Sequence, residues 1–351
     1  MTGACAAAVL LASCGRASVH TRDSGPAAGT DTGAAPVACA SPLVWSEVAG
    51  SPAGYRISGS GPDDLWLIAA AGDGGAPCTP NDVSGTLACR GILMRGDGVS
   101  WTPPPGLGGN TEALGLWVAG RDDVFVGASG NKYVLHWNGS QWSQLPLGDN
   151  REVDSLWGSG PDDVWGARSD GGYLGHWDGN TWAHVDSVNG GVLAGGAPGD
   201  FWAGIRGALI DGGWAAGLAH HEPGTFDPPI AVTTAACLTP AQGDIYAIVV
   251  SGWANATDDV WFVGNHTYHY DGASWTCVPT PATSILHGVW GSSSADVWAV
   301  GEAGTILHFD GVSWSAVPSP TGSALYGVWA SGPCDVWAIG DAVYHARPGV
   351  P

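Results

Sequence analysis

Leu286-His287-Gly288-Val289-Trp290-Gly291-Ser292, Asp296-Val297-Trp298-Ala299-Val300-Gly301, Thr305-Ile306-Leu307-His308-Phe309-Asp310-Gly311 and Val312-Ser313-Trp314-Ser315-Ala316-Val317 follow one another with only short turns between them. Each is a brief β-branched and aromatic run ended by turn residues, and together they read as four strands. Elsewhere the turns carry a mechanism: Gly-Pro-Asp-Asp at 61–64 and 160–163 presets a tight bend, and Asp-Gly or Asn-Gly closes the third hairpin. The second-strand anchor recurs at Asp64-Leu65-Trp66, Asp123-Val124-Phe125, Asp163-Val164-Trp165, Asp200-Phe201-Trp202, Asp259-Val260-Trp261, Asp296-Val297-Trp298 and Asp335-Val336-Trp337. Successive anchors lie 59, 40, 37, 59, 37 and 39 residues apart. That is the period of a four-stranded blade, and no segment has helical periodicity of useful length. The expected class is all-β: a seven-bladed β-propeller of four-stranded antiparallel blades.

Composition agrees. Charged residues make up only 12% of the 351, while Trp reaches 20 and Gly 57, which suits strands covered on both faces and joined by tight turns. A closed array of similar units counts as one domain. The formal charge of −21 repels phosphate backbones and anionic lipid headgroups, so nucleic acid is not an expected partner. The last repeat stops at Tyr344-His345-Ala346-Arg347-Pro348 without a fourth strand, and Leu43 to Pro52 aligns with Val312 to Pro320, matching Trp45 with Trp314. The N-terminal strand around Trp45 is therefore expected to complete the last blade and cover its open edge.

Leu11-Ala12-Ser13-Cys14 is similar to the lipobox of bacterial lipoproteins, in which the Cys is acylated after cleavage. The apolar stretch before it is too short to span a bilayer, which favours a cleaved signal over residues 1–14. No Lys or Arg lies between Met1 and Ser13, a departure that a start codon chosen too far downstream explains. Gly15, rather than Asp, after Cys14 implies the outer membrane, with a lipid anchor as the only membrane contact. Residues 15–40, rich in Ala, Gly, Ser, Thr and Asp, read as a tether, and 41–351 as the propeller. Setting Cys5 and Cys14 aside leaves six cysteines, an even number for an exported chain. Cys39 with Cys334 is the expected ring-locking pair, stabilising by about 4 kcal/mol on the loop-entropy model. Cys78 with Cys89 and Cys237 with Cys277 are the other expected pairs.

The third hairpin recurs as His136-Trp137-Asn138-Gly139-Ser140-Gln141-Trp142, His176 to Trp182, His269 to Trp275 and His308 to Trp314, with a degraded copy at Arg95 to Trp101 and a variant at His220 to Phe226. These hairpins resemble Asp-box and tectonin-type repeats. More closely, residues 41 to 351 resemble the Trp-Gly-Ser-Gly-Pro-Asp-Asp-Val-Trp-Ala-Val-Gly propeller repeats of bacterial outer-membrane lipoproteins. The resemblance is specific for fold and carries no activity with it.

Seventeen Trp fall into repeat classes: first strands (Trp117, Trp157, Trp253, Trp290, Trp329), second strands (Trp66, Trp165, Trp202, Trp261, Trp298, Trp337) and fourth strands (Trp45, Trp101, Trp142, Trp182, Trp275, Trp314). Recurrence at every unit reads as packing. The alternative is that Trp137, Trp177, Tyr270 and Phe309 project from hairpins and stack on sugars, as in a tectonin-like glycan-binding lectin. His136, His176, His220, His269, His308 and His345 occupy equivalent positions separated by the blade rotation, so they cannot share a metal and are expected to tie neighbouring turns. His220-His221-Glu222 is the one local cluster of ligand-type side chains, and adjacent strand residues point to opposite faces. The Asp pairs 63–64, 122–123, 162–163 and 258–259 could hold calcium, but capping of their own backbone is the expected role. An Asp-box glycoside hydrolase of the sialidase kind needs several Arg; here ten Arg and Lys132 are scattered, and Tyr55-Arg56-Ile57-Ser58 lacks the Pro that follows that family's Arg-Ile. What breaks the repeat is where recognition is expected: insertions from about Ala69 to Arg90, Ile205 to Gly217 and Asp227 to Gln242, all read as loops. The functional expectation is a monomeric, non-enzymatic binding or scaffold propeller at the outer membrane. It needs no cofactor or metal and has an unspecified protein or glycan partner at the cell surface.

Overall fold

The computed structural model describes residues 39, 41–70, 91–107, 112–128, 130, 133–148, 151–168, 173–185, 191–210, 213–226, 230–232 and 248–349. Apart from a 3-10 turn at Glu302–Gly304, the regular elements among them are all strands. The stretch that opened the sequence argument becomes one antiparallel sheet in chain order, Leu286–Ser293, Asp296–Gly301, Ile306–Phe309 and Trp314–Ala316. Trp290 pairs with Trp298, Trp298 with His308, and His308 with Ser315, so the repeat residues form a row across the sheet. The third hairpin can turn so tightly because Gly311 adopts φ +89°, a left-handed conformation that costs other residues strain.

The same four-stranded antiparallel arrangement recurs along the chain. One set, Ser155–Gly160 through Trp182–His184, places Trp157 opposite Trp165. Another, Val249–Ala256 through Trp275–Cys277, places Trp253 opposite Trp261. Two sets, Gly54–Gly61 through Trp101–Thr102 and Ala113–Gly120 through Trp142–Pro146, merge into one eight-stranded sheet by a single pairing of Gly91 with Ala113. The N-terminal strand Leu43–Glu47 lies on the edge of Val343–Pro348, with Trp45 opposite Ala346, in a sheet whose other members are Asp335–Ile339 and Gly327–Gly332.

One sequence expectation is corrected. Ile205 to Gly217 is not a loop: it lengthens Asp200–Ile210 and Gly213–Glu222 into a long hairpin, with Ile205 opposite Gly217 and Leu209 opposite Trp214. A further strand, Ile230–Val232, pairs with Gly213–Glu222 inside the stretch also read as a loop. Ladder pairing satisfies the backbone there, which Gly and Ala content alone does not reveal. The segment from 71 to 90 lies outside the described residues.

Sheets pack face to face through aromatic pairs. The fourth-strand indole of one sheet meets the second-strand indole of the preceding sheet edge-on: Trp142 on Trp66 at 6.0 Å, Trp275 on Trp202 at 5.0 Å, Trp314 on Trp261 at 5.4 Å and Trp45 on Trp298 at 5.9 Å. These edge-to-face contacts add to the large apolar area such rings bury. First strands pack side by side, and Gly54–Gly61 lies beside both Ala113–Gly120 and Gly327–Gly332. Small residues permit the approach. A Cβ on Gly327 would come within 3.3 Å of the backbone at Tyr55 and Ile57, and Ser155 and Ser251 accept backbone N–H groups from the neighbouring strand at Leu193 and Val289.

Candidate functional site

The residues with catalytic or ligand chemistry are concentrated at the second-strand anchors. Asp296, buried at 5% exposure, accepts from Ser292 Oγ at 2.5 Å and Trp298 Nε1 at 3.0 Å, and His308 Nε2 lies 2.7 Å from its Oδ1. The His308 ring stacks on Trp298 at 4.3 Å. The same Asp–His contact recurs at Asp123–His136 (3.2 Å), Asp163–His176 (2.7 Å), Asp200–His220 (2.8 Å), Asp259–His269 (2.8 Å) and Asp335–His345 (2.5 Å). In each case the imidazole stacks on the second-strand ring: Phe125, Trp165, Trp202, Trp261 or Trp337. Where the repeat has Arg95 instead of His, the guanidinium takes over both roles. Its Nε lies 2.8 Å from Asp64 Oδ1, and the group sits 5.0 Å over the Trp66 ring.

Two of the anchor carboxylates, Asp163 and Asp335, are made more acidic by this network. Burial pushes Asp163 up, but hydrogen bonds from His176 and Ser159, the His176 charge and Trp165 outweigh it and hold its carboxyl below the usual range. Asp335 follows the same pattern, with burial outweighed by His345, Ser331 and Trp337. The sequence reading gives the second Asp of each pair the role of capping its own turn; in the structure Asp123, Asp163 and Asp259 are hubs that receive His, and Asp64 receives Arg95. Recurrence was the missed signal: a His follows the anchor Asp by 13, 13, 10, 12 and 10 residues in five of the units, and by 20 at Asp200 and His220. Among the described residues no group of three or more His, Cys, Asp or Glu is arranged to hold a metal. His221 stands apart from His220: it is buried, its Nδ1 lies 2.6 Å from the Gly199 carbonyl, and burial lowers its pKa.

The hairpin rings offered as sugar platforms do not project. Trp137, Trp177 and Phe309 are buried, and each belongs to a core cluster, Trp137 with Trp66 and Phe309 with Trp261. Tyr270 is half-buried beside Trp202 and Trp275. The third strand is sandwiched between sheets, so its alternate side chains point at the neighbour instead of at solvent. Among the cysteines, Cys39 and Cys334 are joined by a disulfide with a Cα–Cα distance of 5.5 Å. Cys277 is disulfide-bonded, while its expected partner Cys237, together with Cys78, Cys89 and the lipobox Cys14, lies outside the described residues.

The first-strand Trp lie at the end of the sheets where first strands turn into second strands and third into fourth, packed against the core clusters. Trp117, Trp157, Trp253 and Trp290 are half-buried there and Trp329 is 7% exposed, with Trp290 6.3 Å from Trp253 and 6.2 Å from Trp329. The row is broken at Ser58 and Ala194, which pair with Trp66 and Trp202 as the other members pair with their own second strands. Around it the first turns expose Asp63, Asp122, Asp162 and Asp258. The hairpin turns expose Asp97, Asp178, Glu222, Asp271 and Asp310. Backbone N–H groups of Ser100 and Val99 hold Asp97 below the usual carboxylate range, and Asp178, Asp271 and Asp310 are held the same way by the residues two and three positions on. Against these stand two exposed cations among the described residues of this end, Arg121, bonded to Asp63 at 2.8 Å, and Arg347.

Comparison with known proteins gives the architecture a name. No protein-family model and no curated protein sequence matches the chain. Among solved structures it is similar to YCF48 bound to a D1 peptide, at 16% identity and TM-score 0.62 over 90% of this chain and all of that one. It is also similar to virginiamycin B lyase from Staphylococcus aureus, at 13% identity and TM-score 0.63 over 87% and 98% of the two chains. The WD40 β-propeller domain of Doa1 matches at 11% identity and TM-score 0.59, over 88% and 97%. The fold is a β-propeller. At these identities the likeness is one of fold alone, shared by a peptide-bound protein and a lyase. For this propeller it leaves function to be argued from the residues.

Proposed function

We propose that this chain is a non-enzymatic binding propeller of seven blades, closed by the strand Leu43–Glu47 and held at the outer membrane by a lipid on Cys14. The observation that carries the binding role is the use to which His and Asp are put. In six units the pair is spent on stacking and hydrogen bonding within the scaffold, and in the remaining unit Arg95 substitutes, leaving indoles and exposed carboxylates at one end for recognition. The seven-blade closure is supported by Gly54–Gly61 lying against Gly327–Gly332, and by Trp101 joining the cluster that contains Trp337. The Leu-Ala-Ser-Cys sequence supports the anchor.

The purified full chain, immobilised, should capture a saturable partner from cell-envelope extract without turning over glycosides. Hydrolysis abolished by one Asp or Glu substitution would reverse the reading. Metabolic labelling with an alkyne fatty acid should mark the wild type and not Cys14→Ser; equal labelling would remove the anchor.

A further inference from the structure

The turn between third and fourth strands has the same construction in five of the repeat units. Asp97, Asn138, Asp178, Asp271 or Asp310 is followed by a glycine in the left-handed region, and its Oδ1 accepts the backbone N–H groups two and three residues on. Four of the five are aspartates, and the N–H groups three and two residues on hold each of those carboxyls below the usual range. Asn138 alone is an amide. Its side chain is exposed, and its Oδ1 takes three donors: Ser140 N at 3.1 Å, Ser140 Oγ at 2.9 Å and Gln141 N at 2.9 Å. A glycine has to follow it, because Gly139 adopts φ +84° and a Cβ there would come within 2.7 Å of Asp122. Asn138-Gly139 is the one Asn-Gly pair among the described residues.

We infer that Asn138 is a self-modifying site, at which the chain converts its one amide turn into the aspartate of the sister turns; this stands apart from the binding role proposed above. The nitrogen of Gly139 attacks Cγ of Asn138, with no side chain on the glycine to hinder it. The bond from Cγ to the amide nitrogen breaks, ammonia leaves with the proton that Gly139 N gives up, and a cyclic imide forms. Water then adds to Cγ and breaks the imide Cγ–N bond, which returns a proton to Gly139 N, restores the main chain and leaves a carboxyl group at 138. Only water is consumed. Attack by a neighbouring group gains the effective concentration of an intramolecular reaction. The three donors on Oδ1 are placed as in an oxyanion hole, where negative charge collects while Cγ is tetrahedral. They polarise the same carbonyl in the imide and so direct water to Cγ. Attack at the main-chain carbon would instead insert a methylene into the backbone and spoil the hairpin. The product is then held, since hydrogen bonds to a charged acceptor are roughly twice as strong as those to a neutral one. An ionised carboxylate also resists the attack that the amide accepts.

The test incubates the full chain, in a non-ionic detergent and mildly alkaline buffer at physiological temperature, and follows the His136 to Trp142 stretch by peptide mass spectrometry. An isoaspartyl methyltransferase assay reports the linkage of the product. Asn138 is expected to become aspartate, while Asn180, exposed but followed by Thr181, stays an amide. In the urea-unfolded chain, where the donors are lost, the isoaspartyl product should predominate. Ser140→Ala removes one donor and supplies the residue that Ala273 provides in a sister turn, so the turn is kept and conversion should slow about fivefold, the worth of one neutral hydrogen bond. Asn138→Asp should melt no lower than the wild type. Asn138 remaining intact while the unfolded chain converts overturns the site, because the turn then protects the amide. Predominance of isoaspartate in the folded chain, an unchanged rate in Ser140→Ala, or a lower melting point for Asn138→Asp overturns the part assigned to the Oδ1 donors.

Discussion

Replacing Asp296 by Ala tests whether the repeated anchor is a structural hub. The carboxylate is 5% exposed and receives Ser292 Oγ, Trp298 Nε1 and His308 Nε2 at 2.5, 3.0 and 2.7 Å. Hydrogen bonds to a charged acceptor contribute about 1.5–3 kcal/mol each, but the three share one acceptor and do not add in full. After truncation, Ser292 and the half-buried His308 can turn to water, whereas Trp298, itself only 4% exposed, has little access to it. One stranded donor, a partly rehydrated imidazole and a small void together predict a loss of roughly 3–4 kcal/mol. The assay is denaturant unfolding followed by Trp fluorescence, with Asp310→Ala as a comparison: that exposed side chain serves only its own turn at Val312 and Ser313, and should cost about 1 kcal/mol. A double-mutant cycle of Asp296→Ala with His308→Phe, which keeps a ring on Trp298, should give a coupling of about 1.5–3 kcal/mol. A loss below about 1 kcal/mol for Asp296→Ala, with no coupling to His308, would show that the anchor is a passive turn residue.

Other outcomes follow from the same structure. A Cβ on Gly264 would sit 1.7 Å from the Ile248 carbonyl, whereas one on Gly120 meets nothing within 4 Å. Gly264→Ala should therefore lower stability by at least about 2 kcal/mol and Gly120→Ala should leave the midpoint nearly unmoved, so equal midpoints would contradict the packing at Gly264. Cys39→Ser/Cys334→Ser should lose about 4 kcal/mol, read as a melting point lower by roughly 6–10 °C, and an unchanged melting point would mean that the seam holds without the bond. Acid unfolding should show the Asp hubs. Because Asp163 and Asp335 titrate below the unfolded value of about 4, they stabilise fully above that pH and lose their contribution as pH falls through their folded values. Asp163→Asn/Asp335→Asn should flatten this acid limb, and an unaltered limb would place its origin elsewhere. Arg95→His, which restores the repeat residue, should be tolerated, while Arg95→Ala should cost about 1–3 kcal/mol in the same unfolding assay.

The sequence disclosed the strand order and the seam because both rest on local period and on one alignment, that of Trp45 with Trp314. It disclosed the roles of the Trp classes for the same reason: side chains that recur with the strands face recurring neighbours. It did not disclose what Asp296 and its equivalents bind. Their partner lies on the following strand, 10 to 20 residues on, and a carboxylate at a turn looks the same whether it caps its own backbone or receives an imidazole. Nor did the lengthened hairpin at Asp200–Ile210 and Gly213–Glu222 stand out, since Gly and Ala are shared by loops and close-packed strands. The candidate site was hidden by its own regularity. Trp117, Trp157, Trp253 and Trp290 recur like core residues, and only their partial exposure separates them from the buried rings of the second strands.

The pairing of Leu43–Glu47 with Val343–Pro348 has a bearing on biosynthesis. The two partners are separated by almost the whole chain, so during translation the earliest strand emerges long before its counterpart exists, and no early fragment can reach the final state. Completion of that sheet must therefore await synthesis of Val343–Pro348. Nonsense mutations that remove only the final strand should be as damaging as much larger truncations, since either leaves the opening strand orphaned.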